Sequence, residues 1–338
     1  MKNVIILFSL IAVLDSCYNS GDADLKPRSV KIDRIDSTFL CPFGMTAFNN
    51  HLLLTGEYEN NLIHIYDPVE MKTIFSGFKT GRGPDEMLDA SSAQITQNDH
   101  IWIYDFITRQ FNQFIYISDS LKPKGKIKTD HRIMSPHFIS DSALIALNTF
   151  ESSKGWVSMF DKNGDYVKSL VEFPVNKDVS PDPIFTESYQ GKLLINPDRR
   201  NFVVACRYSD RLSIYDVKGN HISTFRSDRP FEPIMIVEQT PDSYNMLQTE
   251  DTKIGFPEIA VSNDFIFALF SGKSRKTANP ATSNRVYQLT WTGKLTNIYE
   301  TDLSIIDLEW SEFYNCLYMF ATDNYNYYLG RLALPEDL

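Results

Sequence analysis

Four carboxylates and one imidazole stand at the starts of strand-like segments spread along the chain, at Asp89, His137, Glu187, Glu258 and Asp307. Shortly after each of them, apolar and polar residues alternate in a way that predicts a short β-strand. If the fold brings these strand starts together, the side chains can hold a divalent cation or act as general acid and base. If it does not, they are solvated surface charges. The choice depends on the elements that position them.

One short sequence pattern occurs five times and predicts how those elements are arranged. Each copy has an apolar or aromatic residue, usually an acidic residue, a polar turn and a second alternating run, which is typical of a β-hairpin. The anchor residues of successive copies are 50, 44, 55 and 74 residues apart, which is the period of a four-stranded propeller blade with loops of variable length. The copies begin at Ile65, Ile115, Met159, Ile214 and Gln288.

A sixth set of alternating segments follows the last hairpin and ends with Tyr325–Leu334. It contains three strands, one fewer than a complete blade. The segment Ser29–Ile35 alternates cleanly near the other end, and pairing it with the last blade would remove an exposed sheet edge. The sequence therefore predicts an all-β fold, a six-bladed β-propeller over residues 29–338. Each blade has four antiparallel strands, and the N-terminal strand closes the last one.

In such a ring the inner strands of all blades start on the same face, which places the five candidate residues at the mouth of the central channel. No Gly-x-Ser-x-Gly, His-Glu-x-x-His or Cys-x-x-Cys motif is present in the sequence, so neither a serine nucleophile nor a zinc site has local support. The sequence therefore implies no particular reaction, a binding protein is favoured over an enzyme, and no cofactor is predicted. The alternative is a metal-dependent hydrolase or lactonase that uses a divalent cation held by the channel carboxylates.

The charge balance excludes one class of partner. The chain has a formal net charge of -10 and a pI near 5.1, and its Lys and Arg residues form no basic stripe. Such a surface repels a phosphate backbone. We predict that the protein does not bind nucleic acid.

The N-terminus has the features of a targeting segment. Lys2 is followed by the mostly apolar run Val4–Leu14, about half the roughly 20 residues of a membrane-spanning helix. Leu14-Asp15-Ser16-Cys17 then resembles a bacterial lipobox, although Asp15 departs from that pattern. We expect a lipoprotein signal peptide over residues 1–16, lipidation of Cys17 and a polar tether over residues 17–28. The alternative is a secreted protein with a chance cysteine. Of the other cysteines, Cys206 and Cys316 lie in apolar strands and are expected to be buried free thiols.

A resemblance to a known family rests on the second blade. Gly81–Met87, Ile101–Asp105 and Phe111–Phe114 look like one degenerate NHL-type repeat. With the lipobox and the blade count, the whole chain resembles the TolB-like six-bladed propeller lipoproteins of anaerobic bacteria. The resemblance implies a binding or scaffolding propeller in the bacterial cell envelope. It favours an extracytoplasmic lipoprotein of the outer membrane, held to the membrane through its lipid anchor only.

Two insertions in this scaffold indicate a binding face. Arg226–Gly255 links blades 4 and 5, and Gly272–Arg285 joins two strands of blade 5, both on the face of the inner-strand starts. Long loops on a rigid scaffold commonly carry binding sites. The sequence predicts an unidentified protein, peptide or glycan ligand on this face. For the first insertion, packing of its apolar residues on the ring is favoured over their exposure to a partner. For the second insertion, the alternative to a binding loop is a loop exposed to solvent. The candidate residues are Arg82, Phe231, Met235, Tyr244, Arg275 and Lys276.

Overall fold

The computed structural model describes residues 25–37, 44–83, 86–96, 100–130, 132–148, 155–174, 188–239 and 244–334. Within this part of the chain no helix is both long and apolar enough to cross a membrane. The predicted signal peptide over residues 1–16, Cys17, Cys41 and Glu187 lie outside the described residues.

The described strands are arranged as successive antiparallel sheets around a ring. The N-terminal strands are β1 (Arg28–Val30) and β2 (Asp33–Asp36). Blade 1 contains β3 (Gly44–Phe48), β4 (His51–Tyr58), β5 (Asn61–Asp67) and β6 (Lys72–Gly77). A short parallel pair, β7 (Lys79–Thr80) and β8 (Glu86–Met87), leads to blade 2, with β9 (Ser92–Ile95), β10 (His100–Asp105), β11 (Gln110–Ile117) and β12 (Ser120–Lys128). Blade 3 contains β13 (Ile133–Ser140), β14 (Ala143–Asn148), β15 (Val157–Asp161) and β16 (Tyr166–Val171).

Blade 4 contains β17 (Gly191–Ile195), β18 (Asn201–Cys206), β19 (Leu212–Asp216) and β20 (His221–Phe225). The first insertion forms its own hairpin, β21 (Met235–Gln239) with β22 (Tyr244–Gln248). Blade 5 contains β23 (Glu258–Val261), β24 (Phe265–Leu269), β25 (Ser283–Thr290) and the first part of β26 (Leu295–Ser311). The second part of β26 is the inner strand of blade 6, followed by β27 (Cys316–Thr322), β28 (Tyr327–Ala333) and β2. The predicted all-β, six-bladed propeller is confirmed.

Apolar clusters fill the space between neighbouring blades all round the ring. Strand β4 shows why alternation is not required in a blade whose two faces are both covered. Its Leu53 packs with Ile101 of blade 2, whereas Leu52 and Leu54 pack with Tyr318 of blade 6. Each blade is thus buried on both faces.

The N-terminal segment closes the ring as predicted but is divided into two strands. β2 pairs antiparallel with β28, with Asp33 opposite Arg331. β1 instead runs parallel to β26 in blade 5, with Val30 opposite Thr301, so the expectation of one strand over 29–35 was wrong in its extent. The break lies at Ile32, which is buried in the cluster between blades 5 and 6. A Cβ on Gly330 would lie 2.3 Å from the Ile32 side chain, so glycine makes room for this packing.

The repeated sequence pattern corresponds to the predicted hairpins between the third and fourth strands. In blade 4, Oδ1 of Asp216 accepts hydrogen bonds from the backbone N–H groups of Lys218 and Asn220, at 2.9 Å each. Gly219 has a φ of 92°, and a Cβ there would lie 2.4 Å from the carbonyl oxygen of Leu170 in blade 3. The pattern therefore encodes both a tight turn and its contact with the preceding blade.

The two described cysteines are buried free thiols, as expected. Burial raises the pKa of Cys206 to about 12 and that of Cys316 to about 11. A thiol with a raised pKa forms little of the reactive thiolate. These side chains belong to the packing between blades.

Candidate functional site

A cavity of about 750 Å³ runs along the centre of the ring. Its wall is built from the inner strands of the blades, which all start on one face. Gly44, Gln190 and Pro257 line the end at which these strands start, and Asn196 and Glu312 line the other end. A cavity of this size is typical of small-ligand sites in proteins.

Side chains of the inner strands tie neighbouring blades together around this cavity. The Gln94 amide donates to the carbonyl oxygen of Phe138 at 3.2 Å and accepts from the N–H of Phe138 at 2.7 Å. The Ser135 hydroxyl donates to the carbonyl oxygen of Leu193 at 2.8 Å and accepts from its N–H at 2.9 Å. Because both partners of each contact are held by strands, the cavity wall is rigid.

A lysine lies among the channel carboxylates. Lys192 of blade 4 pairs with Glu258 of blade 5, and its Nζ is 3.8 Å from Oδ1 of Asp307 in blade 6. Burial on its own would lower the pKa of Lys192, but the two carboxylates outweigh that effect and hold the pKa above its ordinary value. The ammonium group therefore stays charged and joins three blades.

Two carboxyl groups beside this lysine are held partly protonated. Burial and the neighbouring Glu258 raise the pKa of Asp307 to about 7, although Lys192 acts in the opposite direction. Burial and the nearby carboxylates raise the pKa of Glu309 to about 8, against the hydrogen bond that its Oε1 accepts from the Ala47 N–H at 3.1 Å. One lysine does not compensate three carboxylates in this setting.

The imidazole of His137 is positioned by a β-bulge. The register of β13 against β14 shifts between Met134 and His137, and Ser135 in the bulge has a φ of 47°. A bulge re-aims the side chains that follow it, and His137 lines the cavity. Its Nδ1 lies 3.2 Å from the Ser135 carbonyl oxygen and must donate to it. Burial and the charge of Lys192 lower the pKa of His137 to about 4, so the ring is neutral near pH 7.

The structure brings most of the predicted mouth residues to the channel. Asp89, His137 and Glu258 line the cavity, and Asp307 pairs with Lys192 beside it. Glu187 lies outside the described residues.

Sequence reasoning missed Lys192 and Glu309, which both line the cavity. Each had a signal in the sequence. Lys192 is the charged residue in the otherwise apolar strand β17, and Glu309 follows Asp307 by two residues, which places both on one face of β26.

The carboxylates that the structure describes around the cavity are not arranged as a typical metal site. Among the described residues, no group of three or more His, Cys, Asp or Glu side chains is placed to hold a metal ion. Lys192 supplies the positive charge between Glu258 and Asp307 instead.

The first insertion is fixed to blade 4 by a buried ion pair. Asp210 is fully buried and accepts from Nε of Arg226 at 2.7 Å. It also accepts from the N–H groups of Ser227 and Phe231, at 2.8 and 3.1 Å. Arg226 in turn donates to Glu232 at 2.7 Å. The base of the insertion is therefore part of the propeller.

The second insertion packs on the first, contrary to the alternative of a solvated loop. Arg275 donates to the Gln248 side chain, and Lys276 lies 2.7 Å from Asp251. Lys253 and Ser274 form an isolated β-bridge. The described parts of the two insertions thus form one folded unit, which we call the insertion unit (residues 226–239, 244–255 and 272–285).

One face of the insertion hairpin remains exposed. Ile234, Ile236 and Leu247 are 52, 55 and 41% exposed, and Ile236 is directly opposite Leu247 in the β21–β22 pair. We call these three residues the aliphatic strip. The expected packing of the apolar residues on the ring holds only in part, since Phe231 and Met235 are partly buried.

The candidate loop residues are not all together. Phe231, Met235, Arg275 and Lys276 belong to the insertion unit, as does the backbone of Tyr244, whose side chain lies outside the described part. Arg82 is exposed on the connection between blades 1 and 2, across the ring from the insertion unit.

Three solved structures are similar to this chain over most of its length. A protein of Bacteroides fragilis NCTC 9343, described as exported, covers 94% of this chain and 97% of its own, with 11% identity and a TM-score of 0.56. The β-propeller domain of Cps50 (Swd1) from Myceliophteria thermophila covers 89% of this chain and 100% of its own, at 10% identity and a TM-score of 0.47. Hydrazine synthase of Kuenenia stuttgartiensis covers 90% of this chain and 98% of its own, at 12% identity and a TM-score of 0.46. At these identities, the Bacteroides structure shows a shared fold.

No curated protein sequence matches the chain. A family model described as TolB-like 6-blade propeller-like matches residues 25–312. This range begins just before β1 and extends through the end of β26.

Proposed function

The chain belongs to the TolB-like 6-blade propeller-like family, and we propose that it is a lipid-anchored binding protein of the bacterial cell envelope. Its ligand is a protein or peptide that docks on the insertion unit. The observation that carries this proposal is the aliphatic strip, which is exposed on a hairpin whose base is fixed by a buried ion pair. A rigid base reduces the entropy lost when a partner binds.

The chemistry of the strip favours a protein or peptide over a glycan. Its three side chains are aliphatic and adjacent, so they can be covered only by another apolar surface. Fully burying each such side chain contributes about 1.5–3 kcal/mol. A glycan presents mainly hydroxyl groups and would leave most of this area without a matching surface.

The test replaces the strip without touching the base of the hairpin. The variant Ile234→Ser/Ile236→Ser/Leu247→Ser is expected to fold and to recover a specific partner from the envelope fraction at least about tenfold less well, the equivalent of 1.4 kcal/mol. The measurement is quantitative affinity isolation, with proteins ranked by the ratio of wild type to variant.

A matched control separates binding from surface stickiness. Val69, Ile107 and Val167 are exposed to a similar degree elsewhere on the blades, at 66, 51 and 52%. Their replacement by serine should leave partner recovery unchanged. Equal loss in both variants, or no loss in the strip variant, would refute the proposed binding face.

The lipid anchor is tested at Cys17. The wild-type chain is expected to incorporate a labelled fatty acid and to sediment with membranes, whereas Cys17→Ser should lose the label. The anchored interpretation fails if the wild type is unlabelled, or if Cys17→Ser retains the label. Lipidation of Cys17 would place the propeller on the extracytoplasmic side of a membrane, with the tether of residues 17–28 between them.

A further inference from the structure

We propose that the central cavity binds a primary ammonium group of a ligand, held by Glu309 and His137. The chemical class is an alkylammonium, as found in a lysine side chain, a peptide N-terminus or an amino sugar. This site goes beyond the proposed docking on the insertion unit and stands even if that face binds nothing.

The charges around the cavity are not balanced. Glu258, Asp307 and Glu309 face one lysine, Lys192, which already pairs with the first two of them. Glu309 contacts the Ala47 N–H, but no described basic side chain pairs with it. The wall therefore favours a second cation.

Hydrogen-bond acceptors without partners are available for that cation. Glu309 lines the cavity, and among the described donors only the Ala47 N–H reaches its carboxyl group. His137 is 9% exposed, and since its Nδ1 donates to Ser135, its Nε2 must be an acceptor. No described residue donates to Nε2, and His137 lines the cavity. These two acceptors, of which His137 is buried, point to a ligand that can donate hydrogen bonds.

An ammonium group matches this set better than an anion or a metal ion. It has N–H donors and a positive charge, which suit the free carboxyl oxygen of Glu309 and Nε2 of His137. An anion would meet an excess of carboxylates. The described residues also lack a group of three metal-binding side chains in suitable positions. A volume of about 750 Å³ leaves room for the rest of a small ligand or for a side chain of a larger one.

The test uses two pairs of probes that differ in charge at one nitrogen. Nα-acetyl-lysine amide is compared with its Nε-acetylated form, and glucosamine with N-acetylglucosamine, by isothermal titration calorimetry. We expect at least one ammonium probe to bind about tenfold or more tightly than its acetylated partner, as charge-assisted hydrogen bonds imply. The pair that shows the difference identifies the source of the ammonium group as peptide or glycan.

Variants assign the binding to this wall of the cavity. Glu309→Gln keeps an acceptor for the Ala47 N–H but removes the carboxylate. It should weaken the binding of the ammonium probe by about tenfold. Ser92→Ala changes an uncharged residue of the same cavity and should have no effect. Thermal unfolding of each variant shows whether it folds. If Glu309→Gln does not fold, the probe pairs on the wild type still decide.

Several outcomes would overturn the proposal. They are the absence of binding by both ammonium probes, equal affinity for a free and an acetylated probe, and unchanged affinity in a folded Glu309→Gln variant. The strip variant with three serines should still bind the ammonium probe. Failure of the docking proposal and failure of this site are therefore distinguishable.

Discussion

Asp210→Asn is expected to lower the free energy of unfolding by about 3–5 kcal/mol, the usual effect of removing one partner of a buried ion pair. Asp210 is fully buried, and Arg226 is 6% exposed. The substitution leaves the guanidinium in the interior without the carboxylate that it faces at 2.6 Å. It also leaves the backbone N–H of Ser227 or of Phe231 without its hydrogen-bond acceptor.

The same substitution should release the insertion unit from blade 4. In hydrogen exchange, amide protection in β21 and β22 is expected to fall more than protection in β18 of blade 4. The matched control is Asp251→Asn, which breaks the ion pair with Lys276 on the surface, where both side chains are more than half exposed. Such a surface pair contributes about 0–1 kcal/mol. A similar small loss for both variants would show that the buried pair does not anchor the insertion.

The second large effect is a loss of stability as the pH rises from about 6.5 to 8. Glu309 and Asp307 have folded-state pKa values raised to about 8 and about 7. In this range the folded chain holds protons that the unfolded chain has already released, so the free energy of unfolding falls with increasing pH. Among the described histidines, His64, His137 and His221 have pKa values lowered from their ordinary value. They therefore change the stability with pH only below about pH 6.5. The expected loss is about 2 kcal/mol.

Chemical denaturation at several pH values measures this slope. Glu309→Gln removes the larger of the two contributions and should reduce the loss between pH 6.5 and 8 to below about 1 kcal/mol. Ser92→Ala should leave the wild-type slope unchanged. Stability that stays constant or rises over this range in the wild type would contradict the charge arrangement described for the cavity.

The sequence predicts the ring well because its pattern is local and repeated. Asp216 and Gly219 show this, since the hairpin needs an acceptor and a left-handed residue at fixed positions. The split of the N-terminal segment could not be predicted in the same way. It depends on Ile32 fitting beside Gly330, and these residues are far apart in the chain.

The cavity was predicted in part. Asp89 and Glu258 could be placed because turns mark where the inner strands start. The prediction that His137 begins its strand was wrong, since β13 begins at Ile133 and His137 follows the bulge inside it. Lys192 and Glu309 each carry a local signal, but whether their side chains face the cavity also depends on how neighbouring blades are oriented. Part of that orientation comes from bulges in β13 and β26, which leave no clear signal in a single sequence.

The insertion unit shows a second limit of local reasoning. Lys276 is a typical solvated lysine by its neighbours in the sequence. In the structure it pairs with Asp251, a residue of the other insertion. Contacts of this kind join segments that have no common pattern, so the aliphatic strip they leave exposed could be located only in the folded chain.

Site-specific photo-crosslinking in the producing cells tests the proposed docking face most directly. A photoreactive amino acid in place of Ile236 is expected to give a discrete adduct with one protein, and the same group in place of Val69, which is also exposed, should give none. A partner that docks on the insertion unit requires this difference. The account is contradicted if position 236 crosslinks to no protein, or if both positions give the same adducts.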